Sequence, residues 1–241
     1  VLLAGHKYGA RTYLHEQNAF PGVANRTLEK YVKNVFLGFP DARKYFKEQD
    51  KLIDAGNPVR KTFFEMTQQE ARAQLGLPQD AFVILSFGGS LGAEKINEVA
   101  FDLMETVNGQ EKVILIFGTG KGYYNEITEK IRQKHIDVKE NVLIRDYIEN
   151  MDQYLMACDL VISRSGALSV AETTVCGKAA ILVPSPNVTG NHQYYNAKAV
   201  ADRGGAVLIE EKDLTSEGLI EEVLRIKNHP QVQKEMCKAS R

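Results

Sequence analysis

The chain has 241 residues, enough for one large domain or two smaller ones with a sizeable core. Its 30 basic and 31 acidic residues give a formal net charge of −1, which argues against a generally basic nucleic-acid-binding protein. The three cysteines, Cys158, Cys176 and Cys237, show no CxxC spacing. The sequence therefore indicates neither a disulfide scaffold nor a zinc site, and it favours a reducing, cytoplasmic setting. It has no secretory signal and no apolar run near the roughly 20 residues of a membrane-spanning helix.

Short β-rich segments alternate with helical patterns along the whole chain. Strands are predicted at residues 11–14, 34–37, 82–87, 113–117, 142–144, 160–163, 180–183 and 206–209. The helices predicted between them include residues 93–107, 123–135, 168–176 and 193–203. Several strands are continuous apolar runs, which is typical of strands covered on both faces. The pattern predicts an α/β fold with parallel, doubly wound sheets.

A domain boundary is predicted at residues 56–60, where the turn-forming sequence GNPVR separates two αβ stretches. Residues 58–241 contain enough strands and helices for a complete Rossmann-like domain. Residues 1–57 do not, and we interpret them as the closing part of an N-terminal Rossmann-like domain. Because the chain starts at Val1 close to a strand-like segment, we expect it to be truncated at its N-terminus.

A glycine-rich segment, residues 86–93 (SFGGSLGA), follows the predicted strand at 82–87. Glycines at a strand-to-helix turn let backbone N–H groups approach an anion, and the helix N-terminus adds favourable partial charge. Ser90 could donate its hydroxyl to a phosphate; the alternative is a tight turn that binds nothing. The segment does not match GxGxxG, so a nicotinamide cofactor has weak support. Residues 118–122 (GTGKG) do not match a Walker loop either and are predicted to form a plain turn.

Two further polar segments follow strands in the second half of the chain. Residues 163–169 (SRSGALS) lead to Glu172, whose carboxylate could accept hydrogen bonds from both ribose hydroxyls or simply offset a helix dipole. In residues 190–197 (GNHQYYNA), Gln193 and Asn196 would share a helix face. Their amides suit a sugar, or they cap the helix. Because parallel strands end at one edge of a sheet, these segments are expected on the edge where open α/β sheets bind ligands.

A fourth polar cluster, residues 14–18 (LHEQN), lies where the first predicted strand ends. A zinc-protease motif is rejected because HExxH requires histidine at position 19, which is alanine. Four successive polar residues at the end of a strand can still orient a polar substrate.

These four segments, in this order, resemble the MurG family of bacterial glycosyltransferases. The resemblance covers nearly the whole chain, and the combination is specific although each piece alone is not. The matching positions are residues 15–18, 21–22, 25, 56–60, 88–93, 97, 164–169, 172, 192–193 and 196–197. The resemblance implies the GT-B architecture, in which two Rossmann-like domains face each other across a cleft. Here the C-terminal domain would be complete and the N-terminal domain partial.

By resemblance, the C-terminal domain holds UDP-GlcNAc. The backbone at Ile148 would contact uracil, and Glu172 would contact the ribose. Ser90, with Gly88 and Gly89, would contact the diphosphate. The donor-binding positions implied are Arg60, Gly88, Gly89, Ser90, Asn97, Ile148, Arg164, Ala167, Leu168, Ser169, Glu172, Gln193 and Asn196. The positions implied on the acceptor side of the cleft are His15, Glu16, Asn18 and Asn25.

The family transfers N-acetylglucosamine (GlcNAc) from UDP-GlcNAc to lipid I, the undecaprenyl-pyrophosphoryl-MurNAc-pentapeptide, and thereby forms lipid II for peptidoglycan. The resemblance implies an inverting transfer with no cofactor or metal. Its implied partners are UDP-GlcNAc, lipid I and a membrane surface, with no nucleic acid. It implies a peripheral location on the cytoplasmic face of the bacterial cell membrane. The family's proposed catalytic histidine would precede Val1, so no base is assigned and this chain alone is expected to be inactive.

Two other readings stay open from the sequence. One is another GT-B enzyme, such as a UDP-GlcNAc 2-epimerase or a glycolipid glucosyltransferase. The other is a non-catalytic UDP-sugar-binding subunit that needs a separate partner. A nicotinamide-dependent oxidoreductase is disfavoured because the sequence contains no GxGxxG motif.

Overall fold

The computed structural model describes residues 1–89 and 91–241. The first unit of the chain is a small parallel sheet with strand order β1-β2-β3. Its strands are β1 (Tyr13–Glu16), β2 (Asn34–Leu37) and β3 (Leu52–Asp54). Its helices are α1 (Leu2–Lys7) and α2 (Val23–Leu28), with 3-10 turns at Glu29–Tyr31, Pro40–Tyr45 and Gln49–Lys51. The core is correspondingly small and consists of Val32, Val35, Leu37, Ala42, Phe46 and Leu52.

The first strand lies two residues later than predicted, because Leu14 pairs with Val35 and Glu16 with Leu37. This register places His15 and Glu16 in the last two positions of β1, at the carboxyl edge of the sheet. The third strand was not predicted: β3 is three residues long, too short to show a periodic pattern.

The second unit contains a six-stranded parallel sheet with strand order β6-β5-β4-β7-β8-β9. Its strands are β4 (Phe82–Phe87), β5 (Val113–Gly118), β6 (Val142–Arg145), β7 (Leu160–Ser163), β8 (Ala179–Leu182) and β9 (Ala206–Leu208). Its helices are α3 (Gln68–Leu75), α4 (Glu94–Val107), α5 (Tyr124–Gln133), α6 (Met151–Ala157), α7 (Ala167–Val175), α8 (His192–Ala201), α9 (Ser216–Asn228) and α10 (Pro230–Ser240). Its 3-10 turns are Lys61–Phe64, Thr189–Asn191 and Glu211–Asp213.

Apolar side chains of the large sheet pack on both of its faces. Ile84 and Leu85 are neighbours in β4 and fully buried, yet they belong to two different core clusters. Successive side chains of a strand point to opposite faces, so a strand covered on both sides is apolar throughout. The prediction of a doubly wound α/β fold is confirmed.

The ends of the four predicted helices differ from the observed ones by at most two residues. Local caps set both ends of α3, which was not among the predicted helices. At the start of α3, the Thr67 hydroxyl accepts from the backbone N–H of Glu70, whose carboxylate accepts from the N–H of Thr67. At its end, Gly76 adopts the left-handed conformation (φ 66°) that glycine enters at little cost. None of the described helices is both long and apolar enough to cross a membrane.

The strand order places the chain reversal of the large sheet between β4 and β7. The connections after β4 and β5 lead to one side, and those after β7 and β8 lead to the other. A crevice opens at the carboxyl ends of the strands where such connections diverge. The predicted division at residues 57 and 58 stays a prediction; Asn57 donates to the Gln17 carbonyl of the first unit, while Phe63 is buried in the core of the second.

Candidate functional site

A groove runs along the carboxyl ends of the large sheet. It consists of a cavity of about 190 Å³ and a neighbouring, more open one of about 720 Å³. Gly89 and Ser169 line both cavities, so the two are adjacent. We call this surface the sheet-edge groove.

Two glycine loops form the floor of the sheet-edge groove. A side chain on Gly88 would collide with the backbone of Ala93, and one on Gly92 (φ 83°) with the carbonyl of Thr119. The first loop therefore packs directly on the second, which contains Gly118 and Gly120, and both of these line the smaller cavity. The turn predicted at residues 118–122 is present, since the Tyr123 N–H donates to the Gly120 carbonyl, and its glycines also form part of the wall of a cavity.

Asn97 joins this pair of loops through its side-chain N–H, while its buried Oδ1 has no partner among the described residues. It is 2% exposed, and its Nδ2 donates to the Thr119 carbonyl at 2.8 Å. Its predicted place among the donor-binding residues stays a prediction. Ser90 lies outside the described residues, so its predicted contact with a diphosphate stays a prediction.

The smaller cavity is lined by a carboxylate and by a backbone N–H and C=O without hydrogen-bond partners among the described residues. Glu172, Arg60 and Ile148 line it. The Glu172 carboxylate and the backbone N–H and C=O of Ile148 have no hydrogen-bond partner among the described residues. Gly118 leaves room for Ile148, because a Cβ there would lie 2.9 Å from Ile148 Cδ1. The cavity thus presents acceptors and one backbone donor to anything that fills it.

Burial raises the pKa of Glu172 above its ordinary value. The nearby Arg60 guanidinium opposes this rise in pKa, and the Asp152 carboxylate reinforces it. Arg60 is 52% exposed and lies 3.6 Å from Asp152, so its charge is shared between the ion pair and the cavity. Glu172 is therefore a partly desolvated carboxylate that gains from a ligand offering hydroxyl donors.

The larger cavity is lined by polar side chains from the loops after β7 and β8. Arg164 donates to the Val183 and Pro184 carbonyls and forms an ion pair with Glu211. Gln193 accepts from the Ser185 backbone N–H at 2.9 Å, and its Nε2 has no acceptor within the described part of the chain. Arg164 therefore brings a partly neutralised charge to the groove, while Gln193 brings an unused donor.

Two predicted donor-binding residues, Ala167 and Leu168, line neither cavity. Ala167 is buried in the core, and Leu168 is 49% exposed on the first turn of α7. Ser169, one residue further, does line both cavities. Sequence analysis missed other lining residues, Asp146, Glu149, Met151 and Glu211, because nothing in their sequence context distinguishes them from ordinary loop residues.

Three of the four predicted acceptor-side residues, Glu16, Asn18 and Asn25, lie within residues 16–25, which run from the end of β1 into α2 and which we call the Glu16 loop. Glu16 is 2% exposed. Its carboxylate accepts from the Asn18 N–H (2.9 Å), the Gly22 N–H (3.0 Å) and Asn25 Nδ2 (2.8 Å). Glu16 and Asn25 are therefore engaged in shaping the loop. His15 is exposed, with Nε2 3.2 Å from the Gly56 carbonyl.

Asn196 uses its side-chain amide inside the protein, and its predicted contact with a sugar stays a prediction. It is fully buried. Its Nδ2 donates to Asn18 Oδ1 (3.1 Å) and to the Ser165 carbonyl (3.2 Å), and its Oδ1 accepts from the Ala19 N–H (2.8 Å). An amide has two N–H donors, and both are used inside the protein. No local pattern of residues indicates these contacts, because Asn18 and Asn196 are far apart along the chain.

The six-stranded order and the groove at its reversal point define a Rossmann-like α/β domain. Residues 83–241 match the family model described as "Glycosyltransferase family 28 C-terminal domain". The chain belongs to this glycosyltransferase family.

A curated relative from Thermoanaerobacter sp. (strain X514) is 40% identical over 98% of this chain. It is named UDP-N-acetylglucosamine–N-acetylmuramyl-(pentapeptide) pyrophosphoryl-undecaprenol N-acetylglucosamine transferase. The chain spans 64% of the length of that relative.

Two solved structures share the fold. The crystal structure of Acinetobacter baumannii MurG is 28% identical, with a TM-score of 0.75 over 100% of this chain and 64% of its own. The UDP-GlcNAc 2-epimerase of Neisseria meningitidis, bound to UDP-GlcNAc, is 16% identical, with a TM-score of 0.70 over 98% of this chain and 66% of its own. The first of these matches supports the predicted GT-B type of fold, and the second is a likeness of fold alone.

Proposed function

We propose that the sheet-edge groove binds UDP-GlcNAc, and that the protein transfers its GlcNAc to the lipid-linked acceptor lipid I. The observation that carries this proposal is the smaller cavity, where the unpartnered Glu172 carboxylate lies beside the unpartnered backbone of Ile148. A backbone N–H and C=O suit the edge of uracil, and a carboxylate suits the two hydroxyls of a ribose. The name of the Thermoanaerobacter relative supports the choice of donor and acceptor.

The larger cavity would hold the diphosphate and the sugar. The N-terminus of α7, the loop at Gly88 and Gly89, and the Arg164 guanidinium supply positive potential for the phosphates. The free Nε2 of Gln193 would donate to a GlcNAc hydroxyl. Ser169, at the junction of the two cavities, would contact the phosphates between them.

In the proposed transfer, an acceptor sugar hydroxyl attacks the anomeric carbon of GlcNAc from the face opposite the leaving group. The bond from that carbon to the β-phosphate oxygen breaks, and UDP leaves with the electron pair, so the configuration inverts. The groove stabilises the charge that develops on the diphosphate. The acceptor proton passes to a base that we do not assign within residues 1–241.

The first unit would face the acceptor and the membrane. The proposed acceptor is lipid-linked and is therefore held at a membrane surface. We propose a peripheral position on the cytoplasmic face of the bacterial cell membrane, where that acceptor is within reach.

The test is calorimetry of UDP and UDP-GlcNAc with the wild-type chain and with Glu172→Ala. Losing a charged acceptor costs about 1.5 to 3 kcal/mol, so UDP affinity should fall by about 10- to 150-fold. Glu126→Ala, an exposed change on α5 that lines neither cavity, serves as the control. Unchanged UDP affinity in Glu172→Ala would remove Glu172 from the nucleotide site. Conversion of UDP-GlcNAc without an acceptor would favour an epimerase instead.

A further inference from the structure

Asn196 joins three separate backbone segments at the contact between the two units of the chain. Its side chain bonds to Asn18 and Ala19 of the Glu16 loop and to Ser165 in the loop between β7 and α7. Because Asn196 is fully buried, water cannot replace these bonds, and losing one leaves a polar group without a partner. The amide therefore holds the Glu16 loop directly against the second unit.

Other residues on the same face of α8 bear on the same loop. His192 Nδ1 donates to the Phe20 carbonyl at 2.9 Å. The Phe20 ring stacks on Tyr195, with centroids 4.7 Å apart and planes at 21°. The spacing i, i+3 and i+4 puts His192, Tyr195 and Asn196 on one side of the helix. One face of α8 therefore contacts the Glu16 loop.

The other contacts of Asn196 lead into the sheet-edge groove. Ser165 directly precedes Gly166, which lines the larger cavity and caps the helix that carries Ser169 and Glu172. The Ser165 hydroxyl also donates to the Gln193 carbonyl at 2.8 Å. A bound nucleotide sugar would touch the loop after β7 and the start of α8. Asn196 bonds directly to the first of these segments, at Ser165, and lies on the second.

We propose that Asn196 is a positioning residue that couples occupancy of the sheet-edge groove to the order of the Glu16 loop. The identity of the ligand, UDP-GlcNAc, rests on the proposed function. A bound ligand restricts the loop after β7 and the start of α8, and Asn196 transmits that restriction to Asn18 and Ala19. When the ligand has already ordered the residues around the groove, ordering the Glu16 loop costs less conformational entropy. The coupling is reciprocal, so an ordered Glu16 loop also favours ligand binding.

The experiment is amide hydrogen exchange of the Glu16 loop, followed at the Ala19 N–H, with and without saturating UDP-GlcNAc. In the wild-type chain we expect the ligand to slow this exchange by about fivefold or more, the lower end of typical couplings. In Asn196→Ala we expect the ligand to slow exchange of the Ala19 N–H by less than about twofold. Lys198→Ala, an exposed change on the same helix, should behave as the wild type.

A merely structural role would speed exchange throughout the second unit, whereas coupling leaves β4 and β5 unchanged. If Asn196→Ala does not fold, Asn18→Ala decides the matter, because Asn18 is only partly buried and the change removes one of the two links. It should show a smaller ligand-induced slowing than the wild type. If UDP-GlcNAc slows exchange in Asn196→Ala and Asn18→Ala as much as in the wild type, the coupling is wrong and the proposed function is unaffected. Failure of UDP-GlcNAc to bind the wild type in calorimetry overturns the proposed function, and the coupling with it.

Discussion

In the sheet-edge groove, the Glu172 carboxylate, the Gln193 Nε2 and the backbone of Ile148 have no partners among the described residues. In the Glu16 loop, the Glu16 carboxylate accepts from two backbone N–H groups and two asparagine side chains. Both regions lie at the carboxyl edge of a parallel sheet, and both are rich in polar residues. Polar groups that the fold satisfies build a rigid shape, whereas unsatisfied groups in a cavity are available to a ligand. The following predictions test this difference.

The largest effect is expected from filling the smaller cavity. In Gly118→Val the new Cβ would lie 2.9 Å from Ile148 Cδ1, and the added methyl groups would occupy space assigned to the base. Because the base would no longer fit, UDP affinity should fall by about 100-fold or more in calorimetry, which corresponds to about 2.7 kcal/mol or more. Gly122→Ala is the matched control, because its Cβ would meet only the Leu91 carbonyl at 3.6 Å. A folded Gly118→Val protein with an unaltered UDP titration would place the base elsewhere.

A substitution in the Glu16 loop should lower the stability of the first unit. Glu16→Ala removes the shared acceptor of Asn18, Gly22 and Asn25, and we expect a loss of about 2 to 4 kcal/mol in denaturant unfolding of the first unit. UDP affinity should fall far less than in Gly118→Val. Glu48→Ala, an exposed change in the same unit, should be near neutral. If Glu16→Ala abolishes UDP binding and leaves stability intact, the assignment of the two regions is reversed.

A smaller effect is expected from Gln193→Ala. The lost hydrogen bond to a sugar hydroxyl is worth about 0.5 to 1.5 kcal/mol, so UDP-GlcNAc affinity should fall by about 2- to 12-fold. UDP lacks the sugar and is the internal control in the same calorimetric series. Equal losses for both ligands would assign Gln193 to the nucleotide or to the loop at Ser185, whose N–H it binds.

The smallest effect concerns the pH dependence of stability. Because burial raises the pKa of Glu172, its charged form costs stability at pH values above that raised pKa and costs nothing below its ordinary pKa of 4.5. Glu172→Gln is neutral at every pH and should therefore have a higher Tm than the wild type at pH 7. The difference should shrink as the pH falls towards 4.5. A Tm difference that does not change with pH would mean that the Glu172 charge is not desolvated.

Much of the donor side could be predicted because parallel strands bring their carboxyl ends to one edge. The segments at Gly88, Gly166 and Gln193 are distant in sequence, yet each follows a strand, so their meeting followed from the strand pattern. The contacts that Asn97 and Asn196 make inside the protein could not be predicted, for a physical reason. The residue type shows that an amide can donate and accept, but not whether the fold already uses those bonds.

The sequence by itself determined the parallel doubly wound sheet, since apolar runs covered on both faces leave few other arrangements. It also determined which loops meet, through the strand-to-loop order. Tertiary structure decided the rest. It packed the loop at Gly118 and Gly120 against the loop at Gly92, and it buried Asn196 between the two units. These outcomes depend on distances of a few ångströms between segments far apart in the chain, which no local pattern of residues encodes.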